Sequence, residues 1–400
     1  MSDTRDLDLV IGPEPERLNA ALSDVEDVHG ERMTLQMGPQ HPATHGVLRL
    51  ELETDGELVI KATPHIGYLH RCMEKVCENV TWPAVTLYAD RLDYCSSMNN
   101  ALGYAVAAEK LFGIEVSERV NTIRVLVAEM NRIANHMVAV GTYGLDIGAW
   151  TPFLFLFQQR EHLLDLFDEL SGGRLLYNYV WIGGLSHNLP DGWLRKVRDY
   201  LEYMKGKIEE LNTLLSFNKI YVERTGKVAV ITPELAIATG STGPNLRGSG
   251  VKWDLRKVEP YCGYETYDFD IPVGTGEQGI VGDCFDRYMV RVREMEQSLK
   301  IMAQAVDRLE KMPDDDVRAK VPASWAKMPV GEVYVRTESP KGELGFYLIS
   351  DGKAKPCRVK VRAPSFTVLS VIPHVAPGLL ISDIVALVGS LDVVLGEVDR

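Results

Sequence analysis

The feature that most constrains the fold is a long region of helical periodicity, from about Val80 to Ser216. Two stretches within it, Ala101–Leu111 and Pro152–Leu170, are apolar on more than one side, which is typical of helices buried in a bundle. Between them, apolar residues recur at spacings of three and four: Ile123, Val127, Met130, Ala134, Met137 and Val138. No apolar run reaches the roughly 20 residues of a membrane-spanning helix. The sequence therefore predicts a large helical core.

Alternating patterns, typical of strands, flank this helical region on both sides. Leu48, Leu50 and Leu52 alternate with charged residues, and Asp55-Gly56 signals a tight hairpin after them. Val333–Ile372 is also predicted to form strands. We therefore predict an α+β fold, in which a mainly helical core bundle is flanked by two small antiparallel sheets.

The remaining segments complete the predicted organisation. Residues 225–282 show little periodicity, and a structureless loop of this length is usually functional or bound to a partner. Helices are expected again at Asp283–Lys311 and Ile381–Val388, with a linker at 313–329 between the first of them and the second sheet. Residues 1–31 carry nine acidic residues against two arginines and are predicted to be a solvated extension. Residues 32–400 are predicted to form one interlocked domain.

Charge and cysteine content exclude several classes of function. A formal net charge of −13 argues against nucleic-acid binding and against docking on anionic lipid through a basic patch. The six cysteines include no C-x-x-C pair, so reduced thiols are expected. The chain does not open with a signal-peptide pattern, so we expect it not to be secreted.

Two short segments concentrate residues that could transfer protons. Residues 38–46 form a Pro/Gly-rich turn that contains His41 and His45, and such turns hold side chains out at the end of a sheet. The second segment, Asp90–Tyr94, ends in a tyrosine, and its two aspartates are expected to form salt bridges with Arg91 between them. Histidine, tyrosine and aspartate can tune one another's proton affinity, as proton-transfer sites require. From the residues alone, the ordinary reading of a histidine in such a turn is a solvated surface group, and that of Asp146, which precedes Ile-Gly, is a cap.

These two segments resemble the 49 kDa subunit of respiratory complex I, a family that is itself similar to the large subunit of nickel–iron hydrogenases. The resemblance covers roughly residues 32–400 and implies a hydrogenase-large-subunit-like fold. It is also carried, in order along the chain, by Pro64–Arg71, Asn135-His136, Leu145–Ala149, Thr242–Arg247 and Leu395–Arg400.

The resemblance implies roles for four residues. His45 and Tyr94 match the residues that contact the quinone headgroup, and Asp146 matches the aspartate that pairs with that histidine. Arg71 matches an arginine beside the iron–sulfur cluster of a neighbouring subunit, where a cation would favour the reduced cluster. From its sequence context alone, Arg71 could instead form an ordinary ion pair with Glu74, one helical step away. His41 belongs to the same turn as His45 and is a further candidate for cofactor binding. Its position before Pro42 favours an extended conformation and a structural hydrogen bond instead.

The sequence departs from the family pattern at one position. Many relatives carry glycine after the arginine that matches Arg71, whereas this chain has Cys72. A larger side chain there changes the local packing that the family pattern implies.

The function implied is that of a peripheral-arm subunit in proton-pumping NADH:quinone oxidoreductase. Electrons would pass from NADH through flavin and iron–sulfur clusters of other subunits to the quinone, and this chain would bind neither metal nor flavin. Its partners would be the cluster-bearing small subunit, the 30 kDa-type subunit and the membrane-arm subunit of the quinone channel. The chain would lie on the cytoplasmic side of the cell membrane, peripherally and without a span of its own.

Two other functions are weighed against this one. A nickel–iron hydrogenase needs four thiolates in two C-x-x-C motifs, and this sequence has no such motif and no cysteine after Cys357. A scaffold subunit without quinone contact would not need His45, Tyr94 and Asp146 together. Elsewhere, Glu129, Arg132 and His136 share one helix face, for which we predict a satisfied buried polar network. The Gly-Thr-Gly at 274–276 lacks the strand-to-helix context of a phosphate loop.

Overall fold

The computed structural model describes residues 32–322 and 325–400, so the predicted acidic extension at residues 1–31 lies outside the described residues. The described strands form three antiparallel sheets, one more than predicted. The additional sheet is a short ribbon of two-residue strands, too short to give an alternating pattern. The strands are β1 (Arg32–Met37), β2 (Arg49–Asp55), β3 (Leu58–His65), β4 (Val180–Trp181), β5 (Gly184–Leu185), β6 (Val330–Ser339), β7 (Gly342–Asp351) and β8 (Arg358–Arg362).

Helices make up most of the regular structure and confirm the α+β class. Among the described residues, none of the helices is both long enough and apolar enough to cross a bilayer. The helices are α1 (Met73–Cys77), α2 (Trp82–Ala89), α3 (Ser97–Phe112), α4 (Glu118–Asp146), α5 (Trp150–Ser171), α6 (Trp193–Met204), α7 (Lys207–Leu211), α8 (Lys219–Thr225), α9 (Pro233–Ala238), α10 (Gly243–Gly248), α11 (Leu255–Val258), α12 (Cys284–Leu309), α13 (Pro364–Val368), α14 (Ile372–Val375), α15 (Ile381–Leu391) and α16 (Leu395–Asp399).

Helix α4 is the centre of the bundle. It runs for 29 residues, and most of its side chains are buried on every side. Ser117 begins it as an N-cap, accepting a hydrogen bond from the backbone N–H of Val120 at 3.3 Å. The helix packs against α5 and α12 over much of its length. Because Asp146 is its last residue, α4 carries one predicted site residue from the core to the edge of the bundle.

The first sheet has the predicted hairpin and presents the histidine turn. β2 pairs with β3 through the turn at Asp55-Gly56, and β1 pairs with the other edge of β2. Leu48, Leu50 and Leu52 are fully buried, which confirms the alternation read from the sequence. The connection between β1 and β2 contains residues 38–48, so the sheet holds His41 and His45 at its end.

Two segments differ from the prediction. The strand pattern expected through Ile372 ends at Arg362, where Pro364 begins helix α13. Proline at a first helical position suits a helix start, and this signal outweighed the apolar run that follows. Residues 225–282 are not structureless, because α9, α10 and α11 lie within them. These helices have only four to six residues, too few to show a period.

The Gly-Thr-Gly segment of this region binds a carboxylate of the chain itself. The backbone N–H groups of Gly276 and Gly282 donate to Asp286 Oδ2 at 2.9 and 3.3 Å, and that of Thr275 donates to Oδ1 at 3.4 Å. Asp286 lies in the first turn of α12, so the loop is fastened to a core helix. A Cβ on Gly274 would lie 2.0 Å from the Gly248 carbonyl oxygen, and Gly276 has a φ of 70°, so close approach and backbone conformation explain these glycines without a phosphate.

The predicted polar network on α4 is present and extends well beyond it. Glu129 bonds Arg132 on its own helix and Arg256 from α11, while His136 Nε2 lies 2.9 Å from Glu294 Oε2 on α12. Burial alone would raise the pKa of Glu294, but the Arg247 guanidinium and His136 outweigh it and hold that pKa well below its ordinary value. The network joins α4, α10, α11 and α12, and it pairs the buried charges as predicted. It is not fully satisfied, because Arg132 Nη1 and His136 Nδ1 have no hydrogen-bond partner among the described residues.

Candidate functional site

The turn between β1 and β2 holds its two histidines differently. His41 is extended, and its Nδ1 accepts a hydrogen bond from the backbone N–H of Ala43 at 3.2 Å, as the prediction of a structural bond requires. His45 ends the short helical turn at 42–44 in the left-handed conformation, with φ of 50°. Gly38 allows the close return of the chain, since a Cβ there would lie 2.1 Å from the Leu48 carbonyl oxygen.

His45 meets Asp146, its predicted partner, across 101 positions of sequence. Its Nε2 donates to Asp146 Oδ2 at 3.1 Å, with exposed side-chain fractions of 13% and 7%. A carboxylate in this position accepts the imidazole N–H and fixes the orientation of the ring. The pair therefore presents an oriented imidazole at the edge of the protein.

Tyr94 lies in a tight turn that is organised by Asp93. The Asp93 carboxylate accepts from the backbone N–H of Cys95 at 3.0 Å and from Ser96 Oγ at 2.5 Å. Its backbone carbonyl accepts from Asn100 Nδ2 at 2.8 Å. Asp93 is thus fully buried while Tyr94 remains 36% exposed. Burial of the phenol raises the pKa of Tyr94, so its hydroxyl keeps its proton at neutral pH.

The end of α15 and the residues that follow it contact both groups of predicted residues. A Cβ on Gly389 would lie 3.3 Å from Asp146 Oδ2, so α15 packs directly against that carboxylate. A Cβ on Gly396 would lie 3.3 Å from Arg71 Nη2 and 3.4 Å from Tyr94 Cε1. Only a residue without a side chain fits at Gly396, because the Leu92 carbonyl oxygen would be 2.6 Å away. Residues 389–396 therefore contact the aspartate, the tyrosine and the arginine of the predicted site.

Arg71 does not form the ion pair with Glu74 that its sequence context offered. Its Nη2 donates to the carbonyl oxygens of Arg91 and Gly396 at 2.9 and 2.8 Å. Glu74 instead pairs with three other cations, Arg358, Lys360 and Arg400. Among the described residues, the Arg71 guanidinium is therefore bonded to backbone carbonyls and not to a carboxylate.

The loop before α1 is fastened by Asp399 and Arg400, which lie a few residues beyond Gly396. Asp399 accepts from the backbone N–H groups of Gly67 and Leu69 at 2.8 and 2.7 Å. The backbone N–H of Arg71 donates to the Arg400 carbonyl at 3.2 Å. Cys72 follows in the left-handed conformation, φ 56°, and its side chain is exposed. A residue larger than glycine is therefore accommodated here by pointing its side chain outwards.

The predicted residues are thus brought together in two groups. One contains His45 and Asp146, and the other contains Tyr94 and Arg71. The described residues include no hydrogen bond between the two groups. A cavity of about 440 Å³ lies elsewhere and is lined by none of these residues; Thr81, Trp181, Arg318 and Trp325 are among those that line it. In the described ranges, no three His, Cys, Asp or Glu side chains are arranged to hold a metal ion.

Sequence reasoning missed the buried charges behind the two groups. Lys341 Nζ lies 3.1 Å from Asp93 Oδ2 and 3.4 Å from Asp392 Oδ2, and it donates to Asn135 Oδ1 at 2.5 Å. The prediction that Asp93 pairs with Arg91 beside it was wrong, because the buried carboxylate takes its cation from a distant hairpin. The only sequence signal was the Lys341-Gly342 turn, which gives no hint that the lysine points inward.

Glu397 is also buried behind the site, and we predict a pH-dependent effect on stability from it. Burial chiefly, and the charge of Asp93 next, raise its pKa from 4.5 to about 7. The folded chain then holds a proton that the unfolded chain has lost between these values. Stability contributed by this group is therefore intact below pH 4.5 and lost as the pH rises towards 7.

Glu397→Gln should remove this loss. The variant is expected to gain about 3 kcal/mol over the unmodified chain at pH 8 and to match it near pH 4.5. Its amide oxygen can still accept the bond from the backbone N–H of Ser365. Denaturant unfolding of both chains at the two pH values measures the difference. If the two chains differed in stability by the same amount at both pH values, the Glu397 carboxyl would not titrate as described.

Comparisons with known proteins agree on one family. The family model described as "Respiratory-chain NADH dehydrogenase, 49 Kd subunit" matches residues 146–400. Two proteins named as the D subunit of NADH-quinone oxidoreductase, from Chlorobaculum tepidum and Chlorobium luteolum, are each 51% identical over 376 residues. The alignments cover 94% of this chain, and 94% and 95% of the respective relatives. The protein of the same name from Prosthecochloris aestuarii is 48% identical over the same length.

Proposed function

Because the chain belongs to the family of the 49 kDa subunit of respiratory-chain NADH dehydrogenase, we propose that it forms the quinone headgroup site of a proton-pumping NADH:quinone oxidoreductase. The observation that carries the proposal is the 3.1 Å pair between His45 and Asp146 at the bundle edge. Tyr94, which is partly exposed and packs against Gly396, also supports the proposal. The relatives' names supply the substrate class, since they are called NADH-quinone oxidoreductases.

Reduction of a quinone to a quinol consumes two electrons and two protons. Tyr94 would donate a hydrogen bond and then a proton to one carbonyl oxygen, and His45 would do the same at the other. Asp146 would hold the His45 imidazole in its orientation and resupply the proton that the imidazole gives up. The two donors serve opposite ends of one headgroup, which is why they need not bond each other.

Electrons would reach the quinone from an iron–sulfur cluster held by a neighbouring small subunit. Arg71, whose guanidinium bonds backbone carbonyls, would face that cluster and stabilise its reduced form. Upstream, NADH, flavin and further clusters of other subunits would supply the electrons, and quinone reduction would be coupled to proton translocation. The 30 kDa-type subunit and the membrane-arm subunit of the quinone channel complete the set of proposed partners. The chain would sit peripherally on the cytoplasmic side of the cell membrane.

His45→Ala tests the headgroup role. We expect quinone turnover to fall about three- to tenfold, because water can partly replace the lost donor. The measurement is NADH:quinone activity of membranes carrying the assembled complex, divided by NADH:ferricyanide activity, which does not use the quinone site. His374→Ala, at an exposed histidine on α14, is the matched control and should leave the ratio unchanged. Unchanged turnover in His45→Ala would argue for a scaffold subunit instead.

A further inference from the structure

We propose that Lys341 is a positioning residue that sets the separation between the tyrosine half and the histidine half of the site. The inference rests on the proposed quinone site and deepens it, because it names the group that holds the two donors at the distance of one headgroup. Lys341 is only 3% exposed, so its ammonium would not touch the substrate.

On one side, Lys341 holds the turn that carries Tyr94. Its Nζ lies 3.1 Å from Asp93 Oδ2, and the Asp93 carboxylate also accepts from the backbone of Cys95 and from Ser96. The turn is therefore built around a carboxylate whose counter-ion comes from a residue about 250 positions later in the sequence. Losing the cation would leave that carboxylate buried and unpaired, which is costly enough to move the turn.

On the other side, Lys341 holds the end of α15. Nζ lies 3.4 Å from Oδ2 of Asp392, the residue that ends this helix in the left-handed conformation, φ 54°. The same helix packs against the histidine turn at 42–44 and, through Gly389, against the Asp146 carboxylate. A shift at Asp392 would therefore be transmitted to the partner of His45.

The lysine is itself fixed by the β6–β7 turn. Ser339 Oγ donates to the Gly342 carbonyl at 2.9 Å, and the backbone N–H of Glu343 donates to Thr242 Oγ1 at 3.0 Å. A Cβ on Gly243 would lie 2.4 Å from the Gly342 Cα, so this turn is packed against α10 without spare room. A rigid turn presents the ammonium at one place, which is what a positioning role needs.

The charge state of Lys341 follows from the groups that face it. Asp93 and Cys95 face it from the tyrosine turn, and Asn135 faces it from α4. Asp392 at the end of α15 and Glu397 in α16 face it from the other side. Burial alone would lower the pKa of Lys341, but Asp392 and Asp93 outweigh it and raise that pKa above its ordinary value. The ammonium is therefore charged at every pH at which the enzyme could be assayed.

The test compares Lys341→Met with Arg124→Met in membranes that carry the assembled complex. Arg124 is the matched control, since it is a fully buried cation that pairs with Glu109 and lies 22 residues before Asp146 on the same helix, α4. For Lys341→Met we expect the KM for a short-chain quinone to rise about tenfold, with NADH:ferricyanide activity within about twofold. For Arg124→Met we expect less assembled complex but an unchanged KM.

An unchanged KM in Lys341→Met would overturn the inference. If that variant does not assemble, Asp392→Asn is compared with Arg291→Met, because Arg291 Nε also lies 3.8 Å from Asp392 Oδ2 and its loss leaves the contact of Lys341 in place. A KM raised in Asp392→Asn but not in Arg291→Met supports the positioning role, and equal KM values in the two variants contradict it. Tyr94→Phe is run in parallel: if its quinone turnover is normal, the proposed site itself fails. If Tyr94→Phe is impaired and Lys341→Met resembles Arg124→Met, only the role of Lys341 fails.

Discussion

Replacing Tyr94 by Phe is expected to lower quinone turnover by about tenfold to a hundredfold, while leaving the amount of assembled complex unchanged. The phenol is the donor to one carbonyl oxygen, and its raised pKa keeps it protonated until the quinone accepts the proton. The ring of phenylalanine fills the same space, so the packing against Gly396 is kept. We expect quinone turnover to fall further than in His45→Ala. The phenylalanine ring still fills the site, so little room is left for a water that could replace the lost hydroxyl.

The measurement is the NADH:quinone rate divided by the NADH:ferricyanide rate, over a range of quinone concentrations. Tyr347→Phe is the matched control, since it loses only an exposed hydrogen bond to Glu332 on the last sheet. The control should keep both kcat and KM. Normal turnover in Tyr94→Phe, and again in Tyr94→Phe combined with His45→Ala, would contradict the proposed mechanism.

Replacing Arg247 by Met is expected to destabilise the folded chain by about 3–5 kcal/mol. The Arg247 guanidinium lies 2.7 Å from Glu294 and 2.8 Å from Glu338, with all three side chains buried. Methionine would fill much of the volume but leave both carboxylates without this cation. One buried, uncompensated charge is enough to account for a loss of this size.

Thermal or denaturant unfolding of the purified chain measures the loss. Arg198→Met is the control, because Arg198 pairs with Asp307 and Glu310 on an exposed surface. That variant should change the free energy of unfolding by no more than about 1 kcal/mol. If both variants lost the same stability, the burial of the Arg247 network would not account for its contribution to the free energy of unfolding.

The helical core and the first sheet could be predicted from the sequence because their signals are local. Apolar positions at spacings of three and four marked α4, and alternation with an Asp-Gly turn marked β2 and β3. The short helices in 233–258 could not be predicted, since four to six residues do not complete enough turns to show a period. The resemblance to a hydrogenase large subunit, and the unity of residues 32–400 as one domain, stay predictions.

The site could be predicted only in part, for the same physical reason. His45, Tyr94, Asp146, Arg71 and His41 belong to recognisable motifs, and the structure joins His45 to Asp146 as expected. Lys341 and Asp392 carry no motif, and their roles exist only because the fold brings a hairpin and a helix end to Asp93. Gly396 belongs to a motif, but the reason for it, contact with both Tyr94 and Arg71, needs coordinates.

The central claim is tested most directly by a structure of the assembled complex with a quinone analogue bound. We predict that one headgroup oxygen lies within about 3 Å of the Tyr94 hydroxyl and the other within about 3 Å of the His45 imidazole. In that structure, His45 should either keep its 3.1 Å contact with Asp146 or form a hydrogen bond to the headgroup in its place. A headgroup bound elsewhere, with neither Tyr94 nor His45 within hydrogen-bond distance, would contradict the proposed site.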